Sequence, residues 1–344
     1  MLTKTQISEI RTYLKKAENP LFFFDGDPDG LCSYLILKKY IKKGKGVVLK
    51  AKHSLDLDLY HKIEEYHPDY VFILDIPLVD QEFIDKINVP VIWIDHHPIL
   101  KRKGVHYYNP LQNKPKDNKP ITYWASRIAN NKFLWLATLG SISDWYYPKF
   151  AKTFSKKYPD LLPKKISRPD EAIFNSKLGE LILLFNFILK NPTSKVHKIA
   201  NLLTKIEDPY ELVNAETPRA KFIQRETKNQ KNEYHQIVKK VLEQKPTKEK
   251  LFLVYLPPAK NPHTSIISNL MIYKYPEKVI IIARQTEEKV IMSLRSTKTK
   301  IPKILNEALD GLDGHGGGHD LACGAGINKE HFEEFLERFK EKLI

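Results

Sequence analysis

Through the first hundred residues, short and almost wholly apolar runs alternate with segments of helical periodicity. Residues 20–24 (PLFFF) run into Asp25, and from Gly30 the stretch LCSYLILKKYIKK is apolar at helical spacing. Residues 46–52 (GVVLKAK) read as a strand and SLDLDLYHKIEEY as a capped helix with acids near its start. Residues 70–74 (YVFIL) run into Asp75, LVDQEFIDKI gives a short helix, and residues 89–94 (VPVIWI) run into Asp95. Strands that are apolar throughout, rather than at alternate positions, are buried on both faces. With helices between them they predict an α/β fold built on a parallel, doubly wound sheet. Each right-handed crossover returns the chain in the same strand direction.

The pattern then changes. Residues 101–120 are rich in Pro, Asn and Lys and read as an extended surface loop, and ITYWASRIANNKFLWLATLGSISDWYYP is helical and reaches Asp144. Residues 151–245 are Lys-rich and mainly helical, and 217–244 read as one long connecting helix. After KPTKEK at 245–250, period-2 runs return in LFLVYL, VIIIAR and KVIMSLR, with HTSIISNLMIYKY as a helix between them. A helical IPKILNEAL, a glycine-rich loop (311–327) and a polar terminal helix complete a smaller mixed-sheet α/β domain. The expected boundaries are 1–205 for a first domain, 206–247 for a helical connector and 248–344 for a second domain.

Composition narrows the class. The 344 residues are 42% hydrophobic and 28% charged, which suits a soluble two-domain protein and excludes wholesale disorder. The densest apolar run, 181–189, is half a membrane span, and the N-terminus has no apolar signal region. Cys32 and Cys323 match neither a disulfide framework nor a metal spacing, so a reducing, cytoplasmic location and no membrane partner are expected. Of the net charge of +15, residues 146–250 supply 22 Lys and Arg against 12 Asp and Glu. A localised basic excess suits an acidic partner such as nucleic acid, or is simply a solvated Lys-rich surface.

Three acidic clusters stand at the C-terminal ends of predicted parallel strands: Asp25, Asp27 and Asp29 in DGDPDG, Asp75, and Asp95 with His96 and His97. Ligands of open α/β sheets bind at that end, so the clusters converge in space. A turn or helix cap explains any single Asp, and Asp29 alone fits a cap for the helix after Gly30. Caps do not call for adjacent histidines. Carboxylates mixed with imidazole suit Mn2+ better than Ca2+, and several carboxylates sharing a site suit a pair of ions.

DGDPDG, Asp75 after a strand, DHH at 95–97 and GSISD ending at Asp144 resemble the four motifs of the DHH phosphoesterase superfamily, in its RecJ-like exonuclease and nano-RNase branch of archaeal type. SLRS at 293–296 with GGGH at 316–319 and ACG at 322–324 resembles the DHH-associated domain of that branch. The resemblance implies Asp25, Asp27, Asp75, His96 and Asp144 as metal ligands, and Asp29 as a ligand or a neighbour of one. It implies two divalent ions, Mn(II) preferred and Mg(II) accepted. His97 then lies near the scissile phosphate with Asp95 behind it. Arg295 and Ser296, with His315, Gly316, Gly317, Gly318 and His319, grip the substrate end. Asp25 stands where many relatives carry His, and residues 151–245 match no assigned part.

The implied function is a metal-dependent phosphodiesterase or exonuclease, hydrolysing single-stranded DNA or RNA or short oligonucleotides by two-metal water activation. The basic middle third would track the phosphate chain in a cleft between the domains. A cyclic or linear dinucleotide phosphodiesterase is the first alternative. A non-catalytic, replication-associated binding protein is the second, opposed by the presence of every motif acid and histidine. Replication or repair proteins and a second copy of the chain are left open as partners. The glycines also read as a backbone nest for an anion. Tyr107, Tyr108, Trp145, Tyr146 and Tyr147 read either as base-stacking groups or as packing.

Overall fold

The computed structural model describes residues 1–50, 54–117 and 119–343. It divides into two compact units, Met1–Thr227 and Lys228–Ile344, and the division falls inside the long helix Pro218–Glu243.

In the first unit the apolar runs become a parallel sheet. Its strands are β1 (Leu21–Asp25), β2 (Lys45–Leu49), β4 (Val71–Leu74), β6 (Val91–Ile94) and β7 (His106–Tyr108), in the order β2-β1-β4-β6-β7. Two short strands, β3 (Ser54–Leu55) and β5 (Leu78–Val79), pair separately. Phe22, Phe23 and Phe24 are successive and all fully buried, because helices cover both faces. Phe22 and Phe24 join one core with the helices Pro28–Ile41, Ile121–Ile128 and Leu134–Ser143, while Phe23 and Trp93 join the core on the other face. Each such ring contributes roughly 1.5–3 kcal/mol of burial.

Two readings of this unit are corrected. The segment 101–120 is not all loop, for His106–Tyr108 adds a fifth strand at the sheet edge. SLDLDLYHKIEEY is not one helix: it divides into β3, a single 3-10 turn capped by Asp56, and the helix His61–Tyr66. The four strands β1, β2, β4 and β6 and the residue 217–244 helix agree with the sequence pattern. Part of the expected strand at 46–52 lies outside the described residues.

The second unit is a mixed sheet in the order β11-β12-β10-β9-β8. Its strands are β8 (Leu251–Tyr255), β9 (Val279–Gln285), β10 (Lys289–Arg295), β11 (Gly314–His319) and β12 (Ala322–Asn328). Only β8 and β9 are parallel. One face packs on the helices Ile301–Leu309 and Phe332–Glu341 through Ile281, Met292, Leu294 and Ile327. The helix Thr264–Lys274 packs on β9 and β10. The segment read as a glycine-rich loop is thus a hairpin, and GHGGGH is its edge strand.

Candidate metal centre

The C-terminal ends of β1, β4 and β6 carry Asp25, Asp75 and Asp95 side by side. The Asp75 N–H donates to the Ile94 carbonyl at 3.0 Å and the Asp95 N–H to that of Tyr108 at 3.1 Å, so the sheet itself sets both positions. Beyond β1 the chain turns at once into the helix Pro28–Ile41. Asp27 is its N-cap, accepting the Gly30 N–H at 2.8 Å, and Pro28 opens the first turn. A Cβ on Gly30 would lie 2.6 Å from the Asp25 carbonyl oxygen. Only glycine lets the helix sit that close to the strand end.

Asp29 is a cap, but not of its own helix. Its Oδ2 and Oδ1 accept the N–H groups of Ile121 and Thr122 at 2.8 and 2.7 Å, where the helix Ile121–Ile128 begins. The helix after β1 starts at Pro28 with Asp27 as its cap, which corrects the expectation for Asp29. Asp144 ends the helix Leu134–Ser143. That helix approaches closely at Gly140, where a Cβ would lie 2.3 Å from Thr122 Oγ1 and 2.7 Å from Cys32 Cβ. Gly140→Ala is expected to cost about 1–3 kcal/mol by overpacking and to displace Asp144. Denaturant melts read the first effect and Mn2+ affinity the second.

These placements bring two groups of ligand atoms together. Atoms of Asp75, His96 and His97 lie within 4.8 Å of one another, as do those of Asp29, His96 and Asp144, and His96 is common to both. The His96 Nε2 is 3.2 Å from Asp75 Oδ1 and 3.8 Å from Asp144 Oδ2. Although His96 is near, the buried Asp75 Oδ1 takes part in no hydrogen bond. Asp75 also holds a left-handed backbone, φ 62°, which Asp and Asn tolerate better than other side chains. Among the described residues no Lys or Arg pairs with Asp27, Asp29, Asp75 or Asp144.

Uncompensated carboxylates raise each other's pKa. Burial, then the charges of Asp25 and Asp29, push Asp27 up to about 7. Burial, then Asp29, Asp27, Asp25 and Asp144, hold Asp75 well above the usual carboxylate range, and burial with Asp29 and Asp27 does the same to Asp144. An orphaned buried carboxylate oxygen, an oxygen-rich donor set and a shared imidazole fit a divalent cation of the Mn2+ or Mg2+ kind. Asp25 and Asp27 lie within electrostatic reach but contribute no atom to the two close groups.

His97 is held from behind. Its Nδ1–H donates to Asp95 Oδ1 at 2.8 Å, and its backbone N–H to Oδ2 at 3.1 Å. Asp95 is fully buried. The Asn109 amide donates to the His97 carbonyl at 2.9 Å and to Tyr107 Oη at 2.8 Å, and Tyr107 Oη–H reaches Asp95 Oδ2 at 3.4 Å. Burial lowers the His97 pKa, but the Asp95 hydrogen bond and charge, then Asp27 and Asp25, outweigh it and leave it raised. The sequence reading missed Asn109, whose Asn-Pro step signals only a turn. Tyr107 stacks on Trp93 at 4.2 Å, the Tyr108 hydroxyl bonds Glu9, and the Tyr147 hydroxyl bonds the Ile166 carbonyl. Tyr146 sits edge-on to Tyr123 at 5.6 Å, and Trp145 is the exposed member of the five.

In the second unit, the strand register puts His315, Gly317 and His319 on one face of β11, beside Gly326, Gly324 and Ala322 of β12. Arg295 lies in the row of His319 and Ala322. Its Nε donates to Asn269 Oδ1 at 2.8 Å, which fixes the guanidinium against the helix Thr264–Lys274. Ser293 Oγ lies 3.0 Å from Ser268 Oγ, and Ser296 Oγ caps the turn at Lys298 and Thr299. Gly316 faces the other way, where a Cβ would meet Leu305 and Ala325 at 2.9 Å, and Gly318 has φ 146°. A Cβ on Gly317 would meet nothing within 4 Å. Packing therefore does not explain Gly317, and it leaves a bare floor between two histidines and an arginine. Gly317→Val is expected to leave Tm unchanged or slightly raised, since valine suits a strand better. It should lower kcat/KM at least about tenfold, one bond's worth of transition-state binding. A fall in Tm with unchanged kinetics would contradict this.

The fold and site define a two-unit α/β protein with an oxygen-rich candidate metal centre at the strand ends. Residues 249–344 match the family model of the DHHA1 domain. No curated protein matches the chain. Among solved structures, RecJ from Thermus thermophilus in complex with Mn2+ superposes with TM-score 0.69 at 15% identity, covering 98% of this chain and 54% of that one. An exonuclease RecJ bound to manganese gives 0.65 at 16%, covering 99% and 94%. A pGpG-specific phosphodiesterase, PggH from Vibrio cholerae, gives 0.51 at 11%, covering 94% and 98%. The chain thus spans about half the length of the Thermus RecJ. At these identities the likeness is one of fold. No helix among the described residues is long and apolar enough to cross a membrane.

Proposed function

We propose that the chain is a RecJ-like member of the DHH superfamily, a divalent-metal-dependent phosphodiesterase that hydrolyses single-stranded nucleic acid or short oligonucleotides. The observation that carries this reading is the buried Asp75 carboxylate oxygen, which takes part in no hydrogen bond and is set among Asp29, His96 and Asp144 with no Lys or Arg partner among the described residues. Asp75, His96 and Asp144, with Asp25, Asp27 and Asp29, would hold two ions. When bound, such ions activate a water, clamp the phosphoryl group and stabilise the leaving oxygen.

The remaining work falls to the chain's own side chains. Asp95 fixes the tautomer of His97, so Nε2 points away from the carboxylate. The Asp95 hydrogen bond and charge favour the protonated form of His97, which would donate a hydrogen bond to a phosphate oxygen. Arg295, His315 and His319 around Gly317 would bind the terminal phosphate or sugar. End-labelled DNA and RNA of graded length, incubated with Mn2+, test this. Stepwise shortening from one end is expected. Cleavage of dinucleotides alone would favour the dinucleotide phosphodiesterase reading, and no Mn2+-dependent cleavage of any strand would overturn both.

A further inference from the structure

The acidic motif has a basic neighbour outside every motif. In β2 the residue paired with Asp25 is Leu49, so Lys50 follows the strand beside the first acidic turn. A Cβ on Gly26 would lie 2.5 Å from the Leu49 carbonyl oxygen and 3.9 Å from Lys50 Cα. The Lys50 ammonium bonds the Asn191 carbonyl, just past Lys190, the exposed cap of the helix Lys177–Leu189. β2 is an edge strand and carries one lysine, Lys45, at the end opposite Lys50. The helix Thr193–Leu203 packs against it and brings His197, whose buried Nε2 has no hydrogen-bond partner. Burial, then Lys62, Lys50 and Lys38, depress the His197 pKa despite Glu65, and burial with Lys190 depresses that of Lys50. Lys45 lies 4.3 Å over the Tyr66 ring. At the far end a cavity of about 440 Å³ is lined by Lys38, Lys42 and Lys132, with Glu207 as its one carboxylate.

Structural lysines have partners, and some here do. Lys38 bonds Asn201 Oδ1 at 2.7 Å, Lys62 pairs with Glu65, and the buried Lys39 bonds Glu207 and two carbonyls. Glu207 is therefore already neutralised. The ammonium groups of Lys42, Lys132 and Lys190 make no hydrogen bond or ion pair among the described residues. Five strand residues at about 3.3 Å each make β2 about 17 Å long, enough for several phosphates of an extended chain. Cations set from the acidic centre outward suit a chain of anions that ends there.

We propose that the strip from Lys50 and Lys190 along β2 to Lys132 carries the sugar-phosphate backbone of a single-stranded nucleic acid whose end lies at the acidic centre. This rests on the hydrolytic reading of that centre and makes its substrate a polynucleotide rather than a dinucleotide. The strip lies within the first unit, and three of its lysines precede residue 146, so it differs from the basic middle third singled out by net charge.

The test is fluorescence anisotropy of ten-nucleotide DNA and RNA strands and of a dinucleotide, across salt, with Ca2+ in place of Mn2+. Single-strand affinity falls with log salt at about −0.7 per phosphate neutralised. Removing two contacts in Lys132→Ala/Lys190→Ala should flatten the slope by about 1.4, so that a fourfold salt rise costs about sevenfold less affinity than in the wild type. Both side chains are exposed and unpartnered, so folding is kept. The dinucleotide slope should not change, nor should the ten-nucleotide slope of Lys303→Ala on the second unit. A ten-nucleotide slope equal to wild type in the double variant overturns the strip, as does an equal flattening by Lys303→Ala. If Mn2+-dependent cleavage persists in the wild type, such a result leaves the hydrolytic reading standing. Loss of all Mn2+-dependent cleavage, with the slopes as expected, overturns the hydrolytic reading alone.

Discussion

Asp75→Asn should lower Mn2+-supported turnover by about three orders of magnitude while raising the melting temperature of the metal-free protein. The two effects share one cause. Asp75 is buried at the end of β4, its Oδ1 makes no hydrogen bond, and its acidic neighbours hold its pKa well above normal. Removing that charge relieves repulsion within the fold. It also removes a carboxylate 3.2 Å from His96, and with it about 4 kcal/mol of charge stabilisation, within the several that a bound cation supplies. Asparagine accepts the left-handed backbone of this position, so the chain should fold. Asp75→Ala would lose the same activity but add backbone strain. Turnover within tenfold of wild type, or a lower metal-free Tm in Asp75→Asn, would place the centre elsewhere.

The same charges predict an unusual pH dependence. In the unfolded chain Asp27, Asp75 and Asp144 titrate near 4, whereas in the fold Asp27 titrates at about 7 and the other two well above their usual range. The metal-free native state therefore binds more protons than the unfolded state between about pH 4 and 7. The stability contributed by these bound protons is fully present below that interval and is lost as pH rises through it. The raised His97 pKa acts in the same direction. In EDTA, Tm should fall by several degrees from pH 5 to pH 8, since about 1 kcal/mol moves Tm by about 2–4 °C in a unit of this size. Bound cations replace those protons, so the Tm gained on adding Mn2+ should be larger at pH 8 than at pH 5. Thermal melts at the two pH values, with EDTA and with Mn2+, measure both. An equal Mn2+ gain at both pH values would mean that no buried carboxylate is being deprotonated by metal.

Where burial on both faces decided the structure, the residues announced it. PLFFF, YVFIL and VPVIWI are strands because nothing polar interrupts them, and parallel order then carried their terminal acids to one end. Strands stabilised by other means were not legible. β7 is three residues of a Pro- and Lys-rich segment and exists because β6 offers it an edge. β11 is nearly all glycine and is a strand only through its ladder with β12. The capping role of Asp29 depends on amides more than ninety positions away, brought near by the packing of the helices on β1. Asn109 looks like an ordinary Asn-Pro turn, and only the fold sets its amide between His97 and Tyr107. The proposed β2 strip escaped for a related reason. Lys50, Lys132 and Lys190 are scattered among ordinary surface lysines, and no local spacing connects them.

The central claim is that the acids at the strand ends form a two-metal centre, and anomalous diffraction from crystals soaked in Mn2+ tests it most directly. Two anomalous peaks are expected among Asp25, Asp27, Asp75, His96 and Asp144, about 4 Å apart as in other two-ion hydrolytic sites. Crystals of Asp75→Asn should lose at least one of them. No peak within bonding distance of Asp75, His96 or Asp144 in the wild type would contradict the account.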